Sequence, residues 1–407
     1  MKFLSTVAAR LRPESTVREK AELFALRIQN VVREYSAEVM LGGSLAKGTN
    51  IKGNHDADIF VRFPPDYKGQ DISGLLEKAL RNITPNVIRV HGSRDYFHIK
   101  KDIFFEIVPV LKVSSFSEAD NVTDMSPMHV EYVMKRIAGK QDDVRLAKQF
   151  CRHLKVYGAE SYIQGFSGHV LELLVLYYGS FLRFVEQASV WGDRVVIDIE
   201  DKMKDPLHEL NKAKLVSPLV LVDPVQEDRN AAAAISKETF ERFKEGCRAF
   251  LKKPSASFFK VNPLTLARFK KDVKGPVVEV KLVPLDGTAD VAGSKVKLAY
   301  EKIFSEVSKF SEIKKHEWEY LNGMSVGFIA LKKLSLPRFL EREGPPAKEK
   351  NASKRFLEVH PAAYKKGSRW FAKIPLKWNT VDVLVKDITS DPYVTLRCKK
   401  ATIKVHR

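Results

Sequence analysis

Cysteine is scarce in this chain, and long hydrophobic runs are missing. Of its 407 residues three are cysteines, Cys151, Cys247 and Cys398, which are widely spaced and form no Cys-x-x-Cys pair. This usage indicates neither a disulfide framework nor a zinc site. No apolar segment is long enough to cross a bilayer, and no signal peptide is evident. We therefore expect a cytoplasmic protein that does not bind a membrane.

What the chain has in excess is positive charge. It contains 69 Lys and Arg residues against 50 Asp and Glu, which gives a formal net charge of +19. Such an excess is typical of proteins with a polyanionic partner, although composition alone does not name that partner. A hydrophobic content of 44% supports genuine cores. The length allows two to four domains.

The most informative stretch begins with a glycine and serine turn. Gly43 and Ser44 follow the apolar segment Val39-Met40-Leu41. They therefore sit where a strand would lead into a short helix, with free backbone N–H groups pointing outward. A turn of this kind favours anions such as phosphates.

Paired carboxylates follow that turn. Asp56 and Asp58 open the run Ile59 to Phe63 and would project from the same face of a strand. Glu106 is a lone acid in another apolar strand, where an unpaired buried carboxylate would cost several kcal/mol without a partner or a metal. Oxygen ligands beside a phosphate turn suit Mg²⁺ and phosphoryl or nucleotidyl transfer.

Taken together, these motifs resemble the polymerase-beta-type nucleotidyltransferase superfamily. Further motifs narrow the resemblance to the archaeal, class I CCA-adding enzymes, which are tRNA nucleotidyltransferases. The segments that carry it are Arg145-Leu146-Ala147-Lys148, Tyr157-Gly158-Ala159-Glu160, Gly165-Phe166-Ser167-Gly168, Asp223-Pro224-Val225 with Arg229-Asn230, and Phe258-Phe259-Lys260. The match covers nearly the whole chain and is strongest up to about residue 260.

This resemblance implies a chemistry and a set of site residues. Asp56, Asp58 and Glu106 would be the catalytic, metal-binding acids for two Mg²⁺ ions, which clamp the attacking 3′-oxygen and the leaving pyrophosphate. The family usually has Asp at the third position, and this chain has Glu106. The residues implied in nucleotide binding are Gly43, Ser44, Lys47, His129, Lys148, Tyr157, Arg229 and Asn230. Tyr96 and His98 would lie near the 3′ end of the tRNA, with core packing as an equally good alternative.

The implied substrates are CTP, ATP and a tRNA, bound through its acceptor stem and T-arm by backbone shape and charge. The resemblance also suggests a homodimer. Two rival functions remain open: a poly(A) polymerase-like terminal nucleotidyltransferase, and a non-catalytic tRNA-binding protein.

The pattern along the chain predicts an α+β, multidomain fold. We expect a nucleotidyltransferase head with an N-terminal helix over 1–135, a helical nucleotide- and tRNA-binding neck over 136–256, an α+β body over 257–312 and 368–407, and a tail insertion over 313–367. A capping box, Thr16-Val17-Arg18-Glu19, predicts the start of the first clear helix. We expect 341–353, which is polar and rich in helix breakers, to be a mobile surface loop, with a direct RNA contact as the less favoured alternative. The apolar run 170–185 predicts one buried helix, and the four alanines after Asn230 predict a helix start.

Overall fold

The computed structural model describes residues 1–53, 55–321 and 323–407. The chain divides into two compact units, Met1–Val261 and Asn262–Arg407, and each contains helices and sheets. This confirms the expected α+β, multidomain fold class. The finer division into head, neck, body and tail stays a prediction; the expected tail insertion includes Asn322, which lies outside the described residues.

The first part of unit one contains the sheet that the acids need. Its elements are α1 Lys2–Leu11, α2 Ser15–Val32, β1 Glu38–Leu41, α3 Gly43–Ala46, β2 Asp56–Phe63, α4 Ile72–Arg81, β3 Ile88–Val90, β4 Tyr96–Lys100, β5 Phe104–Leu111 and α5 Ser126–Met134. The strand order is β1-β2-β5-β4-β3, with β2 parallel to β5 and the other neighbours antiparallel.

Strand β2 has one apolar face and one polar face at its start. Ala57, Ile59, Val61 and Phe63 are fully buried and belong to a core shared with α2 and α4. Because side chains alternate along a strand, Asp56 and Asp58 project from the opposite face. Packing of α2 and α4 on one side therefore leaves the acids on the opposite face, where Phe60 packs with Ala46 of α3 and Val130 of α5.

Helix α2 buries the face that its periodicity predicts but begins differently. Apolar residues at spacings of three and four predict a buried face of six positions; Val17, Ala21, Phe24, Ile28 and Val32 are buried, and Val31 is partly buried. The expected capping box is wrong, because Glu14 is the N-cap and makes no side-chain cap hydrogen bond, which places Thr16 inside the first turn.

The second part of unit one is mainly helical. Its elements are α6 Gln141–His153, α7 Gly168–Tyr178, α8 Phe181–Ser189, β6 Val195–Asp198, α9 Pro206–Glu209, β7 Leu219–Val222 and α10 Lys237–Lys252. Aromatic side chains in edge-on, tilted and stacked contacts fill its core, including Phe150, Phe166, Phe184, Phe243 and Phe250.

Two local expectations fail here. The apolar run 170–185 is two helices, α7 and α8, bent by 92° at Gly179, whose φ of +86° favours glycine and ends α7. The alanines at 231–234 form a turn, because the preceding residues pair back onto β7.

No single described helix is long and apolar enough to span a membrane, although α7 and α8 pass that test as a bent pair. β6 and β7 form a short parallel sheet that periodicity did not reveal.

Unit two is built on two antiparallel sheets. Its elements are α11 Leu266–Phe269, β8 Val277–Pro284, α12 Ala289–Phe310, β9 Ile313–Leu321, β10 Met324–Leu331, β11 Phe339–Pro346, α13 Lys350–Val359, β12 Tyr364–Lys366, β13 Arg369–Pro375, α14 Val381–Ile388, α15 Pro392–Thr395 and β14 Cys398–His406. The sheet orders are β14-β8-β10-β9 and β11-β13-β12. The loop expected over 341–353 is wrong: most of it belongs to β11 and α13, since pairing with β13 supplies the order that the local sequence lacks.

Candidate active site

The sheet register brings two of the three predicted acids side by side. In the parallel pair of β2 and β5, Asp58 is the direct partner of Glu106, and Asp56 is the partner of Phe104. Directly paired residues in a sheet project from the same face. Asp58, Glu106 and, two residues away, Asp56 therefore share one face.

The electrostatics of these acids reflect their closeness. Burial and then the charge of Glu106 raise the pKa of Asp58 to about 6, while Lys47 pulls in the opposite direction. Burial also raises the pKa of Asp56, against the charges of His55 and Arg152. Burial therefore raises both pKa values, and at Asp58 a neighbouring carboxylate adds to the effect; a cation would be favoured at such a place.

The donor set fits a hard divalent cation. Asp56, Asp58 and Glu106 offer only carboxylate oxygens, the ligands that Mg²⁺ takes. Their oxygens do not all lie within 4.8 Å of one another, since the only described group of three ligand side chains that meets this distance lies elsewhere. The sheet thus supplies a shared face, and a closed ligand cage around an ion stays a prediction.

Gly43 connects the turn to Asp58. It begins α3 with a φ of +57°, and a β-carbon placed on it would lie 1.5 Å from Oδ2 of Asp58. The backbone N–H of the preceding residue, Gly42, donates to the carbonyl oxygen of Asp58 at 2.7 Å. Ser44 is the next residue of α3. The predicted phosphate turn and the predicted metal ligand are therefore in direct contact.

Two of the predicted nucleotide-binding lysines meet at a buried glutamate. Glu172 of α7 accepts hydrogen bonds from Nζ of Lys47 at 2.5 Å, from Oγ1 of Thr49 at 2.6 Å and from Nζ of Lys148 at 3.1 Å. Burial alone would raise the pKa of Glu172, but Lys148 and Lys47 outweigh it and lower that pKa to about 2. Two ammonium groups thus share one carboxylate.

This cluster, consisting of Lys47, Thr49, Lys148 and Glu172, is called the lysine cluster below. Its two lysines lower the pKa of Asp58, so their charge reaches the acids. In the described structure the ammonium of Lys47 has a protein partner, and its expected contact with a triphosphate stays a prediction.

Tyr157 lies beside the lysine cluster. A β-carbon placed on Gly168 would lie 3.3 Å from the Tyr157 hydroxyl and 3.5 Å from Nζ of Lys148, so both groups face the start of α7. Burial raises the pKa of the Tyr157 phenol, against the charge of Arg152.

Tyr96 and His98 lie on the same face of the sheet as Glu106. His98 is the direct partner of Glu106 across β4 and β5, and its Nε2 lies 3.1 Å from Oε2 of Glu106. The ring of His98 packs edge-on against Tyr96, with centroids 5.2 Å apart. Both side chains are partly exposed beside the acids. Their contact with the 3′ end of a tRNA stays a prediction.

His129 and Arg229 meet at Asp223, which follows β7. Nε2 of His129 lies 2.9 Å from both carboxylate oxygens of Asp223, and Nη1 of Arg229 donates to Oδ2 at 2.8 Å. Burial alone would raise the pKa of Asp223, but the hydrogen bond and charge of His129, together with the charge of Arg229, outweigh it and lower that pKa. His129 is thereby joined to Asp223 and Arg229, which follow it in the sequence by 94 and 100 positions.

Asn230 has a structural role in this structure, and the nucleotide contact expected of it stays a prediction. It is 3% exposed. Its Oδ1 accepts from the backbone N–H groups of Leu221 and Ala232, and its Nδ2 donates to the carbonyls of Lys214 and Leu219. Both hydrogen-bonding atoms of its side chain therefore hold the loop in place.

The group of three ligand side chains that meets the distance test is His129, His169 and Asp223. Burial lowers the pKa of His169 to about 3, so its ring is neutral. Nη1 of Arg229, however, lies 3.3 Å from Nε2 of His129 as well as 2.8 Å from Asp223. A guanidinium cation already neutralises this group, so we interpret it as a hydrogen-bonded network and not as a metal site.

Sequence reasoning missed four residues of this region: Thr49, Glu172, His169 and Asp223, the last as a partner of Arg229. Glu172 carried a usable signal, because it is a lone acid in an apolar helix, the argument that singled out Glu106. His169 carried no comparable signal.

The comparisons with known proteins agree with this architecture. A family model described as a nucleotidyltransferase domain matches residues 27–164, and one described as the second domain of tRNA nucleotidyltransferase matches residues 142–260. Among solved structures, the Cid1 poly(U) polymerase bound to Mg and 3′-dATP has a TM-score of 0.52 at 14% identity, covering 64% of this chain and 98% of that chain. That likeness concerns the fold alone.

Curated relatives are closer in sequence. The chain is 35% identical over 328 residues to the CCA-adding enzyme of Nanoarchaeum equitans, covering 79% of this chain and 80% of the relative. It is 32% identical over 372 residues to that of Methanosarcina mazei, covering 86% and 79%, and 30% identical over 412 residues to that of Methanocaldococcus jannaschii, covering 95% and 90%. With this similarity along most of both chains, the protein belongs to the CCA-adding enzyme family of nucleotidyltransferases.

Proposed function

We propose that this protein adds C, C and A to the 3′ end of tRNA, using CTP and ATP and releasing pyrophosphate, without a nucleic-acid template. Membership of the CCA-adding enzyme family supports the substrates. The observation that carries the chemistry is the placement of Asp58, which is paired with Glu106 and lies against Gly43 of the predicted phosphate turn.

Asp56, Asp58 and Glu106 would hold two Mg²⁺ ions through their carboxylate oxygens. When bound, such ions stabilise the negative charge that develops during nucleotidyl transfer. His98 donates to or accepts from Glu106 and so limits where this longer carboxylate points. The contact offers one way in which Glu serves at a position where the family usually has Asp.

The lysine cluster supplies positive charge close to Asp58, where we propose that the nucleotide phosphates bind. Lys47 and Lys148 are held by Glu172, and their combined charge exceeds that of the glutamate by one. A fixed cation of this kind stabilises phosphate charge without the reorganisation that water would need. Gly43, Ser44, Tyr157, His129 and Arg229 complete the proposed nucleotide contacts.

The net charge of +19 supports binding of a tRNA backbone. On the basis of the family resemblance, we propose that the protein contacts the acceptor stem and the T-arm of the tRNA. On the same basis we propose that it forms a dimer. Sedimentation of the free protein tests the dimer directly.

The decisive experiment incubates the purified protein with tRNA that lacks its 3′-terminal CCA and with each nucleoside triphosphate, singly and in combination. We expect two additions from CTP alone and completion only when ATP is also present. Long runs of A from ATP alone would replace this proposal with the poly(A) polymerase-like function. No incorporation from any mixture would favour the non-catalytic tRNA-binding protein.

A further inference from the structure

We propose that Asp223 is the positioning residue that fixes the guanidinium of Arg229 and thereby sets which bases the enzyme accepts. The inference rests on the proposed function, in which Arg229 is one of the nucleotide contacts, and it takes the edge of the incoming base as the part of the nucleotide that Arg229 meets. It assigns the selectivity of that contact to a buried carboxylate that does not itself touch the nucleotide.

The carboxylate of Asp223 has hydrogen-bond partners other than Arg229, and they fix its orientation. Its side chain is 0% exposed, and Oδ1 accepts from the backbone N–H groups of Val225 at 2.9 Å and Gln226 at 3.1 Å. Nε2 of His129 lies 2.9 Å from both oxygens. The carboxylate therefore has one orientation, and Oδ2 is the oxygen that it presents to Arg229.

The backbone around Arg229 is fixed as well. Its N–H donates to the carbonyl of Gln226 at 3.0 Å, and its carbonyl accepts from the N–H of Asp223 at 3.0 Å. The next residue, Asn230, is bonded to the neighbouring backbone on both sides. The loop from 223 to 230 thus closes on itself and leaves only the arginine side chain to be positioned.

The guanidinium of Arg229 has protein partners at Nη1, and its other nitrogens are available to a ligand. Nη1 bonds Asp223 and contacts His129, whereas Nε and Nη2 have no hydrogen-bond partner among the described residues. The side chain is 42% exposed, in contrast to the buried acid that holds it. A planar group with five N–H donors therefore presents unused donors in one fixed direction.

Fixed donors discriminate between the four bases. Cytosine N3 and adenine N1, at the centre of the pairing edge, accept hydrogen bonds, whereas uracil N3 and guanine N1 carry hydrogens. A donor held at this position favours C and A and leaves an unsatisfied donor against U and G, which is the strong form of discrimination by a polar site. A guanidinium that could rotate away would lose this discrimination.

The test is the ratio of incorporation efficiencies, kcat/KM for CTP over UTP and for ATP over GTP, measured on full-length protein with tRNA acceptors. We expect Asp223→Asn to lower both ratios about 10- to 100-fold, as the loss of a charge-assisted hydrogen bond implies. Asp228→Asn is the matched control, because Asp228 lies in the same loop but is exposed, and it bonds the partly exposed Lys214. This control should leave both ratios unchanged.

A role of Asp223 in folding alone would lower the amount of active protein and leave the ratios intact, and that result would overturn the inference. If Asp223→Asn does not fold, Asp223→Glu and Arg229→Lys are measured instead, and both should lower the ratios. Unchanged ratios in these variants would equally contradict us. A wild-type protein that adds no CCA would instead refute the proposed function itself.

Discussion

Gly43 and Asp58 are in direct contact: a β-carbon on Gly43 would lie 1.5 Å from Oδ2 of Asp58. Glycine is required here twice, for the φ of +57° and for the space that the carboxylate occupies. The turn and the acid cannot be altered independently.

Gly43→Ala should therefore displace Asp58 and lower single-turnover nucleotide incorporation by about 100-fold or more, the effect expected of a shift near 1 Å in a catalytic group. The control is Gly53→Ala, since Gly53 also has a positive φ, +83°, but nothing lies within 4 Å of its added carbon. If both variants lose activity equally, backbone strain and not contact with Asp58 is the cause.

Asp58 should reduce the stability of the fold at neutral pH. Its pKa is raised from the usual 3.8 to about 6, so between these values the folded chain binds more protons than the unfolded chain. Stability then decreases as pH rises through this window and stays lower above it. The ionised carboxylate of Asp58 therefore does not serve the stability of the fold, which agrees with the functional role that we propose for it.

We expect Asp58→Asn to raise the free energy of unfolding by about 1–3 kcal/mol at pH 7.5 without divalent ions, with the gain vanishing below about pH 4. Urea denaturation at several pH values measures this. Asp102→Asn, at an exposed acid bonded to Lys20, is the control and should give no gain. A variant at Asp58 that is less stable at pH 7.5 would refute the burial argument.

Glu172 should stabilise unit one strongly, because its removal leaves two buried ammonium groups without their carboxylate. Glu172→Gln is expected to cost about 3–5 kcal/mol. Glu22→Gln breaks the exposed ion pair with Arg18 and should change stability by less than about 0.5 kcal/mol. Equal urea midpoints for the two variants would show that the lysine cluster contributes no more to the free energy of unfolding than an exposed ion pair does.

The sequence predicts the five-stranded sheet well because its signals are local. The residue pattern predicts strands over 38–41, 57–63, 96–100 and 103–113. β1 and β4 have these bounds, and β2 and β5 differ from them by at most two residues at either end. Alternation of apolar and polar residues reports directly on a half-buried strand. The shared face of Asp56, Asp58 and Glu106 follows from that alternation once β2 and β5 are neighbours.

The prediction failed where distant contacts decide the structure. β11 is strongly polar, with a run such as Glu341-Arg342-Glu343, and is ordered by pairing with β13. The side chain of Asn230 is bonded by backbone groups as far away as Lys214. Glu172 meets Lys47 across 125 positions of sequence. Periodicity carries no information about such pairs.

Binding of tRNA should depend steeply on salt. If the excess positive charge neutralises six or more phosphates, affinity will fall about 1000-fold between about 50 and 200 mM salt. Filter binding at several salt concentrations measures the slope. Asp58→Ala should retain the slope, and a flat dependence in the wild type would argue against backbone recognition.

The most direct test of the account is single-turnover addition of CMP to tRNA lacking CCA, with tRNA affinity measured in parallel, for the wild type and for Asp58→Asn. We predict a loss in rate of about 1000-fold or more with tRNA affinity unchanged within a few-fold, as expected for an interaction made only in the transition state. A variant that adds CMP at the wild-type rate would contradict the account.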